Sequence, residues 1–315
     1  MAKKVALAHE APYMKRLGRD LRRNYPLYLL ALPAVVVIIL LNYMPMYGIV
    51  MAFQDFRPVR GFFGSKWVGF ANFERFFNSY QFVDLLKNTL GLSLTNLLFT
   101  FPVPIFLAIM INQVYKPRLK KTIQTVVYLP HFIATVVLVS MLHVLFNTRT
   151  GLYGVIAGKL GVANPVNLFA LKSSFRPMFI GASIWQNAGW DSIIYIAALT
   201  SIDPSLYEAA TVDGATKAQR VWHIDLPSIL PTMVTLLIMR CGSIMNVNFD
   251  RTYLLQNDLN IGISEIISTY EYKIGLAQGQ FSYSAAIGLF NNVINLILLL
   301  IVNKISKEAS GTGLW

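Results

Sequence analysis

Polar side chains interrupt long apolar runs at three places in this chain. Trp185, Gln186, Asn187, Trp190 and Asp191 lie in the run 178–200. Arg240, Asn246 and Asn248 lie in the run 228–249, with Asp250 just beyond, and Asn291, Asn292 and Asn295 lie in the run 284–302. A charge at bilayer depth costs about 2.5–3.5 kcal/mol on insertion scales, so such residues often mark a solute path. Amides donate to hydroxyls and accept from them, and carboxylates accept from them. Tryptophan faces stack on the apolar faces of sugar rings. As a set, these residues suit a polar, uncharged solute better than an apolar one. The same residue types also join membrane helices by hydrogen bonds, and Asp191 and Arg240 can form an internal ion pair.

Bond-breaking chemistry is not legible. The loop G-x-x-x-x-G-K-[S/T], which cradles ATP phosphates, is absent, and Gly61-Phe62-Phe63-Gly64-Ser65-Lys66 has the wrong spacing. There is no H-E-x-x-H, no cysteine pair and no catalytic triad. His9, His131, His143 and His223 are scattered, so no metal site is expected. His131 and His143 read as packed helix residues rather than proton relays, since no acidic partner is near in sequence. The single cysteine, Cys241, cannot form an internal disulfide and reads as a small buried residue in an apolar run.

The segment 203–227 has a different character. Asp203-Pro204 reads as a helix start, with Asp as N-cap and Pro where its missing N–H costs nothing. A short helix over 206–212 carries Glu208, Ala209 and Ala210. Gly214 permits a sharp turn with positive φ, a second short helix covers 216–223, and Leu226-Pro227 is expected to end it. Ala209, Ala210 and Ala215 leave a low surface that another protein can approach closely, and Glu208 offers a charge to a basic partner.

These residues must be positioned by membrane helices. The 315 residues are 55% apolar and 13% charged, against about 25% charged in an average soluble domain. Six apolar runs, 27–51, 90–111, 122–146, 178–200, 228–249 and 284–302, each approach the ~20 residues that cross a bilayer as a helix. The expected fold is an all-α membrane protein of six transmembrane helices. Its organisation is a basic N-terminus 1–26, a single transmembrane domain 27–302 containing the loop 201–227, and a tail 303–315. The net charge of +12 sits mainly at the ends of the apolar runs, which argues against nucleic acid and for topology signals. Seven Lys or Arg precede the first run, and Lys116, Arg118, Lys120 and Lys121 follow the second. That places both termini, and the loop 201–227, in the cytosol. The first run is too long for a cleavable signal and reads as an uncleaved span.

The loop 52–89 is dense in aromatics and reads as an interfacial anchor, with a short surface helix over 72–86. Prolines at 33, 45, 102, 104, 130 and 231 predict kinked helices, tolerated where neighbours satisfy the freed carbonyls.

The spacing E-A-A-x3-G-x9-I-x-L-P, from Glu208 through Gly214 to Ile224, Leu226 and Pro227, resembles the signature of the membrane subunits of bacterial ABC importers. The stretches 128–133, 249–255, 264–270 and 288–304, with Leu314-Trp315, resemble permeases of the oligo- and polysaccharide branch. The resemblance implies a type I ABC importer permease in the bacterial plasma (inner) membrane. It implies that Glu208, Ala209, Ala210, Asp213, Gly214, Ala215, Thr216, Ile224, Leu226 and Pro227 form a coupling segment docked in a groove of an ATPase subunit. The implied partners are a second permease chain, two ATP-binding subunits that hold ATP and Mg, and an extracellular or periplasmic solute-binding protein delivering carbohydrate. This chain itself would carry no cofactor and no enzyme activity. Tyr270, Tyr272, Gln278, Gln280 and Tyr283 are expected to contact the binding protein. Two other readings stay open: an ABC importer for a peptide, amino acid or anion, and an ATP-independent secondary transporter. The anion reading would want several basic side chains in the spans, and only Arg240 is visible there. The secondary-transporter reading would want inverted repeats and acidic relays, and neither is evident.

Overall fold

The computed structural model describes residues 13–162, 164–311 and 313–314. The first twelve residues of the expected basic N-terminus, with His9, and Trp315 at the tail lie outside the described residues.

Helices dominate. Among the described residues, four helical runs are long and apolar enough to cross a membrane: Arg22–Phe53, Phe82–Asn112, Lys217–Cys241 and Phe281–Glu308. A fifth candidate is the pair Pro117–Phe132 and Thr135–Leu145, bent by 97° at a short break.

The first run begins in α1 (Tyr13–Ile38) and continues through a π turn to a 3-10 turn, Tyr47–Phe53. Its apolar side chains from Leu27 to Met46 stand exposed, and only the closing 3-10 turn packs against the last helix. A two-residue antiparallel pairing, Gln54–Asp55 with Lys66–Trp67, closes the following loop. Then come α2 (Ala71–Phe77), α3 (Phe82–Thr100) and α4 (Pro102–Asn112). Helix 72–86 expected along the surface is therefore two pieces, and its second half belongs to the second span. Its aromatics are not an interfacial belt alone. Phe76 is fully buried and packs edge-on against Phe82, Phe290 and Tyr283, because the chain turns at Asn78 and lays α2 on the last helix.

The third apolar run, 122–146, departs furthest from expectation. α5 (Pro117–Tyr128) runs into a 3-10 turn at Leu129–Phe132, and α6 (Thr135–Leu145) leaves at a new angle. Pro130 interrupts the hydrogen-bond ladder, and Ile133 and Ala134 adopt extended backbone. The freed carbonyl of Ile133 is recovered by Gln186 Nε2 at 2.6 Å. After α7 (Leu152–Lys159), the 29-residue α8 (Lys172–Thr200) forms the centre of the bundle. At 1.5 Å per residue it spans roughly 44 Å, and it packs against α3, α4, α5 and later helices. Its polar residues set it apart from the four strongly apolar runs.

Next come α9 (Pro204–Val212), α10 (Lys217–Arg220) and α11 (Leu226–Cys241). Leu226-Pro227 does not end a helix, contrary to expectation. A π turn at Val221–Asp225 joins α10 directly to α11. Pro227 sits in the first turn of α11, where its lack of an N–H is tolerated. The segment that follows is not an open loop either. α12 (Phe249–Leu255) and α13 (Ile267–Tyr272) fold back into the bundle. Asn88 Nδ2 holds the carbonyls of Gly262 and Glu265 at 2.9 and 3.1 Å, and Thr89 accepts from the Ile267 N–H at 3.0 Å. The last helix, α14 (Phe281–Ser310), continues past position 302 and ends at Gly311, whose φ of 66° suits a glycine C-cap.

Candidate functional site

The segment 203–227 is built as a rigid double elbow. The Asp203 side chain caps α9 through the Ser205 N–H at 2.9 Å, and that bond holds its carboxyl below the usual carboxylate range. Gly214 takes φ 73°, with nothing within 4 Å of where a Cβ would stand. Thr216 starts α10 with a reciprocal capping box: its N–H donates to Gln219 Oε1 at 2.7 Å, and its Oγ1 accepts from the Gln219 N–H at 3.4 Å. The Arg220 guanidinium braces the turn by donating twice to the Ala215 carbonyl, at 3.2 and 3.1 Å. Lys217 lies 5.0 Å over the ring of Tyr115, at the end of the second span.

Glu208, Ala209, Asp213, Gly214 and Thr216 are exposed, whereas Ala210, Ala215, Ile224 and Leu226 are half-buried against the bundle. Leu206 and Val212 are also exposed, Val212 at 89%. With Ala209 they lie three residues apart, on one face of α9. This is an apolar strip with a carboxylate beside it, carried on a braced hairpin.

One residue here escaped the sequence reading. Asp225 occupies the unspecified position between Ile224 and Leu226, yet it is fully buried. Its carboxylate accepts from the Tyr207 hydroxyl and from Gln113 Nε2, the latter at 3.4 Å. It ties α9, the end of α4 and the start of α11 together. The signal was there: a lone acid inside a segment entering an apolar run.

Of the span residues singled out above, Asn187, Asp191, Arg240, Asn246 and Asn248 converge on two adjoining cavities between α3, α8, α11 and α12. One, of about 220 Å³, is lined by Asn96, Thr100, Ser183, Asn187, Asp191, Arg240, Asn248 and Arg251, among others. The second, about 160 Å³, shares Asn96, Thr100, Arg240 and Asn248 and adds Ser93, Ser243 and Asn246. Asp191 and Arg240 form an ion pair. Asn246 accepts from Asn291 Nδ2 at 2.7 Å, and Asn295 accepts from the Met245 N–H at 2.9 Å. Asn291 and Asn295 thus fix the bend after α11 rather than face the cavities, and Asn292 is exposed on another side of α14. Trp185 lines a separate apolar pocket with Leu138 and Phe146. Trp190 stacks on His131 at 4.5 Å, and His131 Nδ1 meets Asn187 Oδ1 at 3.1 Å. Gln186 is a buried brace that also accepts from Arg251.

Sequence reasoning missed Asn96, Thr100, Ser183 and Arg251. The first three are uncharged polar residues within apolar runs, and Arg251 lies just beyond the run 228–249, in a segment that folds inward.

Tyr270 and Tyr283 do not lie on an outer contact surface. Both are buried in a core cluster with Phe76, Met245 and Ile287, and Arg75 covers the Tyr283 ring at 4.2 Å. Tyr272 and Gln278 remain exposed, and Gln280 is half-buried, bonded to Arg75 at 2.8 Å. The correction follows from α13 and α14 packing face to face.

Residues 100–310 match the family described as binding-protein-dependent transport system inner membrane component. The polygalacturonan/rhamnogalacturonan transport system permease protein YteP of Bacillus subtilis (strain 168) is 44% identical over 301 residues, covering 96% of this chain and 94% of that protein. A solved bacterial ABC transporter involved in the import of the acidic polysaccharide alginate contains a chain 40% identical, with a TM-score of 0.85 over 94% of this chain and 99% of that one. A bacterial alginate ABC transporter in complex with an alginate pentasaccharide-bound periplasmic protein gives 39% identity and a TM-score of 0.86, over 95% of this chain and all of that one. Matches of this identity and coverage carry more than a shared fold: the chain belongs to the binding-protein-dependent transport system inner membrane components, the permease subunits of ABC transporters.

Proposed function

We propose that this chain is one of two permease subunits of an ATP-driven carbohydrate importer, with an oligo- or polysaccharide as cargo. The observation that carries the reading is the pairing of two sites in one bundle. A braced, exposed hairpin with Glu208, Ala209 and Gly214 stands at one end of α8, and a polar cavity lies along the same helix. Relatives named for polygalacturonan, rhamnogalacturonan and alginate transport support the cargo class.

In this reading the chain crosses the membrane six times: the four strongly apolar runs, the bent pair α5–α6, and α8. Lys and Arg at the ends of the first two runs favour cytosolic termini. Residues 1–26 then form a basic cytosolic arm, 27–302 the transmembrane domain and 303–315 the tail. The exposed strip Leu206, Ala209 and Val212, with Glu208, docks on an ATPase subunit. ATP and Mg bind to that partner, and this chain does no chemistry itself. A solute-binding protein delivers the sugar from outside, as the periplasmic protein in the alginate complex suggests. Tyr272 and Gln278 are the remaining candidates from this chain for that contact.

The mechanism needs a lever. Closure of the ATPase pair moves the docked hairpin as a unit, because its caps and the Arg220 brace leave few soft torsions. The π turn at Val221–Asp225 passes that movement into α11 without a loop, and Asp225 passes it to α4. The cavity lies where α11 and α8 meet, so a shift of α11 alters the Arg240 side of the site.

The test is reconstitution of the permease pair with its ATPase subunits and binding protein in proteoliposomes. ATP hydrolysis stimulated by an oligosaccharide is expected, with uptake that stops when the ATPase subunits are omitted. Stimulation by a peptide or amino acid panel, with none by sugars, would overturn the cargo assignment.

A further inference from the structure

Three charged side chains line the two adjoining cavities: Asp191, Arg240 and Arg251. Arg240 is matched by Asp191. Arg251 is not matched by a carboxylate among the described residues. Its guanidinium donates to the neutral oxygens of Ser183 and Gln186 and lies 5.4 Å from the ring of Phe179. The residue is 2% exposed, and its Nε has no hydrogen-bond partner. A guanidinium buried without a counter-charge is costly, and ionisable groups whose charge is disfavoured by burial cluster at functional sites. Neighbouring polar atoms are also left over: Ser93 Oγ, Asn96 Oδ1 and Thr100 Oγ1 are buried and unpartnered. The walls therefore carry one positive charge in excess, with hydroxyl and amide groups to spare around it.

We propose that this cavity is a carboxylate subsite that selects a uronic-acid unit of the imported carbohydrate, the acidic class to which the alginate of a solved relative belongs. Arg251 is the receptor for the carboxylate, in the planar geometry that suits guanidinium and carboxylate. The Asp191–Arg240 pair holds the second cation in place and limits the excess to one charge, which suits one uronate at a time. Asn96, Thr100, Asn187 and Asn248 meet the ring hydroxyls. The inference rests on the carbohydrate reading above and narrows its substrate. It also answers the objection that the spans offer only Arg240 to an anion, since the inward fold of α12 brings in a second cation.

The test measures equilibrium binding to the purified transporter assembled from both permeases and the ATPase subunits, without binding protein. The discrimination read is then the membrane portion's own. The probes are tetragalacturonate and its fully methyl-esterified, neutral form. The acid form is expected to bind at least about tenfold tighter, since one well-placed charge-assisted pair contributes on that scale. Arg251→Gln is expected to bring the ratio close to one and Arg251→Lys to restore part of it. Arg251 also braces α8, so a second variant guards against misfolding. Asn248→Asp keeps the side-chain oxygen that caps α12 but cancels the excess charge, and it too is expected to collapse the ratio. Equal affinity for the two forms in the wild type, no binding of the acid form at millimolar concentration, or a ratio unchanged in Asn248→Asp would each overturn the proposal. Failure of the broader reading looks different: no carbohydrate, acidic or neutral, would then drive uptake in the complete proteoliposome system.

Discussion

The Tyr207 hydroxyl donates to the buried carboxylate of Asp225, joining helix α9 to the start of α11. Burial and the neighbouring carboxylate both push the Tyr207 hydroxyl above its ordinary value, so it stays a donor throughout the physiological range. Movement of α9 therefore reaches α11 by two routes, along the backbone and through this bond. Tyr207→Phe removes the second route and leaves Asp225 with Gln113 alone. A hydrogen bond to a charged group contributes about 1.5–3 kcal/mol, enough to loosen the joint without dissolving it. The expected outcome is a several-fold fall in sugar imported per ATP hydrolysed, with the ATPase subunits still bound. An unchanged ratio would show that the backbone route suffices.

Gly214 is predicted to tolerate volume but not a side chain's backbone preference. Nothing lies within 4 Å of a Cβ placed there, yet φ is 73°. A non-glycine residue pays roughly 1–2 kcal/mol for this region, and a β-branched one pays most. Gly214→Val is expected to turn α10 away from α9 and reduce coupled transport strongly, while Gly214→Asn retains most of it. Co-purification of the ATPase subunits and ATP-driven uptake check both. If Gly214→Trp transports and assembles normally, the docking role of the elbow is wrong.

The segment 203–227 was the part of this molecule most legible in sequence. Asp203, Pro204, Gly214 and Thr216 each declare a local backbone preference, and local preference needs no knowledge of neighbours. Caps and turn appear where those residues put them. Pro227 was misread because the rule for proline assumes an α-helical ladder, and the π turn before it changes the register. Arg251 and Asp225 stand out in sequence only as charges beside an apolar run, and their roles were not legible for another reason. Each is a charged residue whose role depends on helices far away in sequence, α8 for one and α4 for the other. Tyr270 and Tyr283 failed likewise: a tyrosine between spans reads as surface until α13 folds back onto α14. Asn187, Asp191 and Arg240 were legible as candidates because charge in an apolar run is rare. Which of their neighbours share the cavity, and which only brace a bend, is set by packing.

Gly189 marks a crossing that the sequence did not announce. A Cβ there would overlap the carbonyl of Val127, so α8 and α5 touch backbone to backbone. Neither carbonyl nor helix can step aside as a flexible side chain would. Gly189→Ala is expected to destabilise the assembled complex by about 1–3 kcal/mol, in line with overpacking of a filled core. Gly181→Ala, on the same helix with nothing within 4 Å, serves as the control and is expected to be neutral or slightly stabilising. Thermal unfolding in detergent separates the two, and similar melting temperatures for both would contradict the close crossing.

Glu271 should make the segment between α11 and α14 sensitive to pH. It sits in α13, against Gly288 and beside a mostly apolar cavity of about 450 Å³ lined by Phe249, Tyr272 and Phe281. Burial pushes its carboxyl from 4.5 up to about 7. The folded state thus holds a proton that the unfolded chain releases near pH 4.5. Stability from this group is complete below about 4.5, falls as the pH climbs, and levels off above about 7. The fall is at most about 3 kcal/mol at 1.36 kcal/mol per unit, and less once solvent reaching the half-buried carboxyl is counted. Glu271→Gln keeps the neutral shape and removes the titration. The melting temperature of the wild-type complex is expected to drop between pH 5 and 7.5, while that of the variant stays flatter and exceeds it at pH 7.5. The opposite sign, with the variant weaker at high pH, would mean that the ionised carboxylate has a partner in the assembled importer.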